Sequence, residues 1–134
     1  MKTKKLLIVM LLIPIIFSFM SIAQSQDLLD YKGPCTGNLN VVKFTWHKDG
    51  FESVCFLDSI TIKNNSSSRC KDLMCFADFY GSSGTRIGAV SFIIYDSIPP
   101  GKTKTFRNIN VGLLPSPADQ IRSASFQALS GIAK

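Results

Sequence analysis

From Leu39 onward no segment of the chain sustains the 3.6-residue period of a helix. Apolar and β-branched runs of about six to ten residues alternate instead with short stretches of turn chemistry. That alternation leaves little but strands and reversals. Asn38 to His47 sets Val42, Phe44 and Trp46 on one face, and Asp49-Gly50 supplies the positive φ angles of a tight hairpin before Phe51 to Lys63 returns. Asn64-Asn65-Ser66-Ser67-Ser68 makes the next turn. Leu73 to Tyr80 is apolar on both parities except at Asp78, which predicts a central strand covered on both sides.

Gly81-Ser82-Ser83-Gly84 delivers the chain to Arg86 to Ile98, where Val90, Phe92 and Ile94 share a face. Pro99-Pro100-Gly101 stops that strand, since proline cannot donate to a ladder. Lys102 to Gly112 sets Thr105, Arg107, Ile109 and Val111 on one side and Phe106 on the other, and Gln120 to Leu129 makes a last strand. Six strands joined by reversals predict an all-β fold in which two antiparallel sheets bury their inner faces against each other, with an open barrel as the competing closure. An antibody-type domain would carry Tyr two residues before its second core cysteine, but Leu73 holds that place before Cys75.

Ahead of the strands, MKTKK, an apolar run from Leu6 to Met20 and Ser21-Ile22-Ala23 before a polar stretch predict a signal peptide over residues 1–23, cleaved near Ala23. An uncleaved anchor is the competing reading, because the run approaches the ~18 apolar residues of a membrane span; Pro14, Ser18 and Ser21 weigh against it. No cysteine follows the run closely enough for a lipid anchor. The expected organisation is signal 1–23, an N-terminal extension over 24–37 and a β-domain over 38–130. The protein is expected to be bacterial and either periplasmic or secreted. Cleavage removes Lys2, Lys4 and Lys5 and lowers the formal charge from +6 to +3. The remaining charges are scattered singly, a solvated surface that speaks against nucleic acid and, after cleavage, against a membrane.

Cys35, Cys55, Cys70 and Cys75 all lie in the exported part, where thiols pair, so two disulfides are expected. Four cysteines allow three connectivities. Along an extended strand Cys70 and Cys75 stand about 16 Å apart at ~3.3 Å per residue, whereas a bridge needs Cα atoms within about 7 Å. Cys35 is therefore expected to pair with Cys70 or Cys75, and Cys55 with the other. The spacing contains no zinc knuckle and His47 is the only histidine, so no metal or other cofactor is expected.

Hydrolytic chemistry needs paired carboxylates, or a nucleophile with a base and an orienting partner. His47 is the one imidazole and sits at the expected hairpin tip. Asp58 and Asp78 approach each other only if the strands flanking the 64–69 turn pair. No catalytic residue is expected. Trp46 is expected in the core; its alternative is an exposed ring that forms a binding surface with His47 and Lys48. Phe92-Ile93-Ile94-Tyr95 would be adhesive on an open sheet edge.

Several strings together resemble a known family. They are Trp46-His47-Lys48-Asp49-Gly50-Phe51, Ile60-Thr61-Ile62-Lys63-Asn64-Asn65, Lys71-Asp72-Leu73, Phe79-Tyr80-Gly81-Ser82-Ser83-Gly84-Thr85, Ile94-Tyr95-Asp96 and Phe106-Arg107-Asn108-Ile109-Asn110-Val111-Gly112. In this order the chain resembles uncharacterised bacterial exported proteins with FxLYD-type domains, over roughly residues 40 to 129. In Ala77-Asp78-Phe79-Tyr80-Gly81 the aromatic pair of the nominal motif remains. The resemblance implies a small immunoglobulin-like antiparallel β-sandwich of about six to seven strands and brings no active-site or ligand-binding residue. The expected function is a non-catalytic binding or accessory module of the cell envelope whose partner is another envelope or secreted protein. A passive structural envelope protein and a small secreted hydrolase are the competing functions.

Overall fold

The computed structural model describes residues 33–133. The expected signal peptide over 1–23 and most of the expected extension lie outside the described residues. Six strands follow: β1 (Leu39–Asp49), β2 (Val54–Asn64), β3 (Cys70–Tyr80), β4 (Arg86–Ile98), β5 (Thr103–Leu113) and β6 (Ser123–Ala133). They form two three-stranded antiparallel sheets, ordered β1-β2-β5 and β4-β3-β6. The chain is thus a small β-sandwich. Its strand order follows the A-B-E and C-F core of immunoglobulin-like domains, with β4 beside β3 in the C′ place. Only β1–β2 and β3–β4 are hairpins within one sheet; the other links pass between sheets, so the expectation of reversals throughout holds for two of five connections.

The inner faces meet through Leu57, Ile60 and Ile62 of β2, Leu73, Ala77 and Phe79 of β3, Phe92 and Ile94 of β4, Phe106 of β5 and Phe126 of β6. Aromatic rings stitch one sheet to the other. Phe44 of β1 stands 4.8 Å from Phe126, and Trp46 meets Phe79 edge-on at 5.9 Å.

Bulges decide which residues face inward. Val42 is expected to share a face with Phe44 and Trp46, but the ladder passes from Val41 opposite Ile62 directly to Lys43 opposite Thr61. Val42 is the extra residue and points outward, 54% exposed, while Val41 packs on the core in its stead. In β5 the face changes at Asn108, at φ 57°, without a shift in its ladder, which slips only between Asn110 and Gly112: Phe106 before it and Val111 after it are both buried, whereas Thr105 and Arg107 are exposed. The β1–β2 turn is longer than a two-residue hairpin. Gly50, Phe51 and Glu52 all have positive φ, and Ser53 N–H donates to the Asp49 carbonyl at 3.1 Å. The central position expected for β3 is correct, but one face alone is covered. Leu73, Cys75, Ala77 and Phe79 are buried inward, while Met74 on the outer face is exposed.

Two ends of the sandwich follow from this topology. At the disulfide end, Cys35 is bonded to Cys70 with Cα atoms 5.9 Å apart. The fully buried Asn64 side chain donates to the carbonyls of Ser68 (2.8 Å), Ile98 (2.9 Å) and Pro99 (3.2 Å). Its Oδ1 accepts from the Ser66 N–H (2.9 Å) and the Ser66 hydroxyl (2.7 Å). At the hairpin end, the link after β5 folds over the core, burying Leu114 and Ile121 and setting Pro115 against β4. Gly88 is required there, because a Cβ would lie 2.6 Å from Pro115.

The expectation of two disulfides is corrected. Cys35–Cys70 is one of the pairings left open, but Cys55 and Cys75 are free, buried thiols. Trp46 pairs with Leu57 in its ladder and touches Phe79, which puts Cys55, two residues beyond Leu57, at the hairpin end. Cys75 lies four residues back along β3, about 13 Å at ~3.3 Å per residue, so no bond can span them.

Candidate functional site

The three residues expected as a possible binding surface diverge. Trp46 is partly buried and packs on the core. His47 points outward from the other face of β1, its Nδ1 3.0 Å from an Asp58 carboxylate oxygen and its ring 5.3 Å from that of Phe56. Lys48 turns toward the hairpin end and donates to the Ala118 carbonyl at 3.0 Å. No shared surface results, because alternate residues of a strand face opposite ways. His47 and Asp58 are both about half exposed. The nearby hydroxyls of Thr45 and Ser59 bond each other at 3.0 Å. Asp78 stays on the other sheet, 2.7 Å from the Arg86 guanidinium, so the approach of Asp58 and Asp78 does not occur.

Burial removes the two thiols from surface chemistry. Both have no exposed area, and desolvation pushes each up to about 12. Among the described residues no three His, Cys, Asp or Glu side chains converge to hold a metal ion.

The feature that stands apart is an edge. Each sheet has two outer strands, and three of the four are blunted in ways that discourage pairing. β1 carries Lys43, Lys48 and Asp49 and is broken by bulges; β5 carries Lys104 and Arg107 and the left-handed Asn108. β6 is uncharged, but its ladder is shifted twice, and the Gly37 N–H crosses to the Leu129 carbonyl at 3.3 Å. β4 differs. Its nine residues from Ile87 to Tyr95 contain no charge and no proline, and its ladder's two shifts fall at the ends, at Ile87 and at Tyr95–Asp96, so that Gly88 to Ile94 run in unbroken register against Phe79 to Leu73. Ile93 and Tyr95 are 40% and 80% exposed on the outer face, where Ile93 lies opposite Met74.

Charges mark the ends of this run. Arg86 is held by Asp78, and Asp96 is held by the Lys104 ammonium at 2.9 Å and the Ser97 N–H at 2.7 Å. Those two hydrogen bonds, Lys104 first, keep the Asp96 carboxyl below its ordinary range. Beside the strand, a groove of about 430 Å³ runs between β4 and β5, lined by Ile94, Tyr95, Thr105 and Arg107 among others. Sequence reading singled out Phe92 to Tyr95 but left its position open. The flanking Arg86 and Asp96, which delimit the run, were the signal it missed.

No family model matches the chain, and no curated protein does. Solved structures with a similar fold include a DUF1425 family member from Shewanella, 12% identical over 72% of this chain and 81% of that one, with a TM-score of 0.42. The uncharacterised lipoprotein YajI from Escherichia coli is 15% identical over 70% of this chain and 55% of its own, with a TM-score of 0.32. A β-D-glucoside glucohydrolase from Trichoderma reesei is 16% identical over 69% of this chain but only 19% of its own, with a TM-score of 0.31. Likenesses at this level say nothing of activity.

Proposed function

We propose that the chain is a non-catalytic binding module of the cell envelope that takes up a protein partner by main-chain addition to the free edge of β4. The observation that carries this reading is the uncharged run of β4 at the rim of its sheet, regular from Gly88 to Ile94, with Ile93 and Tyr95 exposed beside it. Edge addition needs unpaired backbone N–H and C=O groups for affinity and alternate side chains for selectivity, and such a run offers both. The envelope location is supported by the signal-like residues 1–23 and by the Cys35–Cys70 bond, which persists in oxidising compartments. The resemblance to FxLYD-type domains belongs to this same reading, since it implies the fold without an active site. The exposed His47–Asp58 pair, with its neighbouring hydroxyls bonded to each other, offers no assembled nucleophile.

A photo-crosslinking amino acid at Ser91, in the cell that makes the protein, is expected to give discrete adducts. The same group at Thr45, on the outer face of the β1-β2-β5 sheet, is expected to give none. Equal labelling at both positions, or none at Ser91, overturns the reading.

A further inference from the structure

We infer that the partner at the β4 edge is a second copy of this chain, joined β4 to β4 about a two-fold axis through Ser91. The inference rests on the edge-binding reading and adds the identity of the occupant.

The register follows from the faces. In an antiparallel pair, residues directly opposite each other point to the same side. Outward residues of β4 must meet outward residues of its copy, or core side chains would be turned to solvent. The axis therefore passes through a residue, not between two. With Ser91 on the axis, Arg86 of one copy and Asp96 of the other come level at both ends of the pairing, each five residues from the centre and at the register shifts that end the regular Gly88–Ile94 run and turn both charges outward. Moving the axis to Val90 or Phe92 would set both charges against uncharged residues or loops. The self-complementary register is thus the one that pairs the only two charged residues of the strand.

The side chains between them agree. Ile93 meets Ala89 of the copy, so the apolar outer stripe begun by Met74 and Ile93 continues across the axis, and the exposed Tyr95 flanks it beyond the regular run. Val90 and Phe92, which face the core, meet each other. Arg86 keeps guanidinium N–H groups beyond the Nε that binds Asp78, and Asp96 keeps its Oδ2 beyond the Oδ1 that holds Lys104 and Ser97. Neither must abandon its internal partner. The product is a continuous six-stranded sheet, β6-β3-β4 joined to its own copy, in which the open β4 edge of each molecule is covered. Edge pairing alone buries less than the ~1,200–2,000 Å² of a standard interface, so the dimer dissociates on the order of micromolar concentrations.

Cysteine placement reads the register directly in the full purified chain. Opposed residues of an antiparallel pair have Cα atoms about 4.5–5.5 Å apart, within disulfide range. Diamide oxidation of Ser91→Cys is expected to give a covalent dimer in high yield. Ala89→Cys or Ile93→Cys alone puts like residues about 13 Å apart at ~3.3 Å per residue and is expected to give none, but an equimolar mixture of the two links one to the other. Cys55 and Cys75 are buried and do not compete. Ser91→Lys, at an exposed position, sets two ammonium groups on the axis and is expected to raise the dissociation constant at least about tenfold in sedimentation equilibrium. Cross-linking of Ala89→Cys alone as readily as Ser91→Cys, or a monomer at millimolar concentration, overturns the inference. In the cellular experiment, an adduct at Ser91 with a different protein and none with this chain overturns the second copy while leaving edge binding intact; no adduct removes both.

Discussion

The two ends of the sandwich are closed by different means. At the disulfide end, a covalent bond and a single buried amide tie the Gly33–Asn38 segment and the 64–69 and 98–102 turns to the strands: Cys35 to Cys70, Asn64 to three carbonyls, and the Asn65 N–H to the Asn38 carbonyl at 2.7 Å. At the hairpin end the closure is apolar. Leu114 and Ile121 are buried in the core cluster, Pro115 lies against Gly88, and the 50–53 turn carries a fully exposed Phe51. The difference teaches that directed polar bonds hold the first end, where a lost partner strands a buried group, while the second relies on contact area, where losses scale with volume.

Five substitutions or treatments test that contrast. Asn64→Ala should have the largest effect, about 3–5 kcal/mol in denaturant unfolding, because it orphans several buried groups at roughly 1–3 kcal/mol each; a loss below about 1 kcal/mol would mean that the amide is incidental. Reduction of Cys35–Cys70, which closes a loop of separation 35, should cost about 3–4 kcal/mol by chain entropy. Titration of the denatured, unreduced protein should find two thiols. The same thiols, raised to about 12 by burial, leave stability intact below the unfolded value of 9.0 and lower it as pH climbs from there toward 12; a flat profile across that window would place Cys55 or Cys75 in solvent.

Trp46→Ala, at the hairpin end, should cost about 2–4 kcal/mol, less than a fully buried tryptophan, because the ring is only partly covered. A red-shifted emission with an unchanged midpoint would move the ring off the core. Phe51→Ser should change stability by less than about 0.5 kcal/mol in the same assay, since the side chain touches nothing that folding buries. A larger loss would show that the turn braces the apolar end.

Much of the fold was legible. Period-two runs, Pro99-Pro100-Gly101 and the serine-rich turns marked six strands, and all six exist. Faces were legible only up to the bulges. Val42 was misassigned because it is an extra residue in its ladder, and Phe106 was set apart from Ile109 and Val111 because the left-handed Asn108 changes the face between them; no residue type announces either. The missed free thiols have a different origin. Cysteine counting sees the compartment, whereas pairing depends on where two strands of different sheets come level. For the site, the composition of β4 was visible but its place at the rim was not, because which strand ends a sheet is set by the crossings between sheets.

The Asn64 network also bears on how the molecule ages. Asparagine loses ammonia when the next residue's backbone nitrogen attacks its side-chain carbon, and here that nitrogen, on Asn65, is already committed to the Asn38 carbonyl. The Asn64 amide is enclosed as well, so the conversion that would aim a carboxylate at three carbonyl oxygens is blocked at both reactants. Asp49-Gly50 at the opposite end can undergo the analogous ring closure: it is exposed on a turn with positive φ at Gly50, and the Gly50 N–H donates at 2.8 Å to the Asp49 carboxylate itself, which holds the attacking nitrogen beside the carbon it would join. Chemical wear should therefore begin at the hairpin end: after prolonged storage, peptide mapping should find isoaspartate at Asp49 while Asn64 still carries its amide.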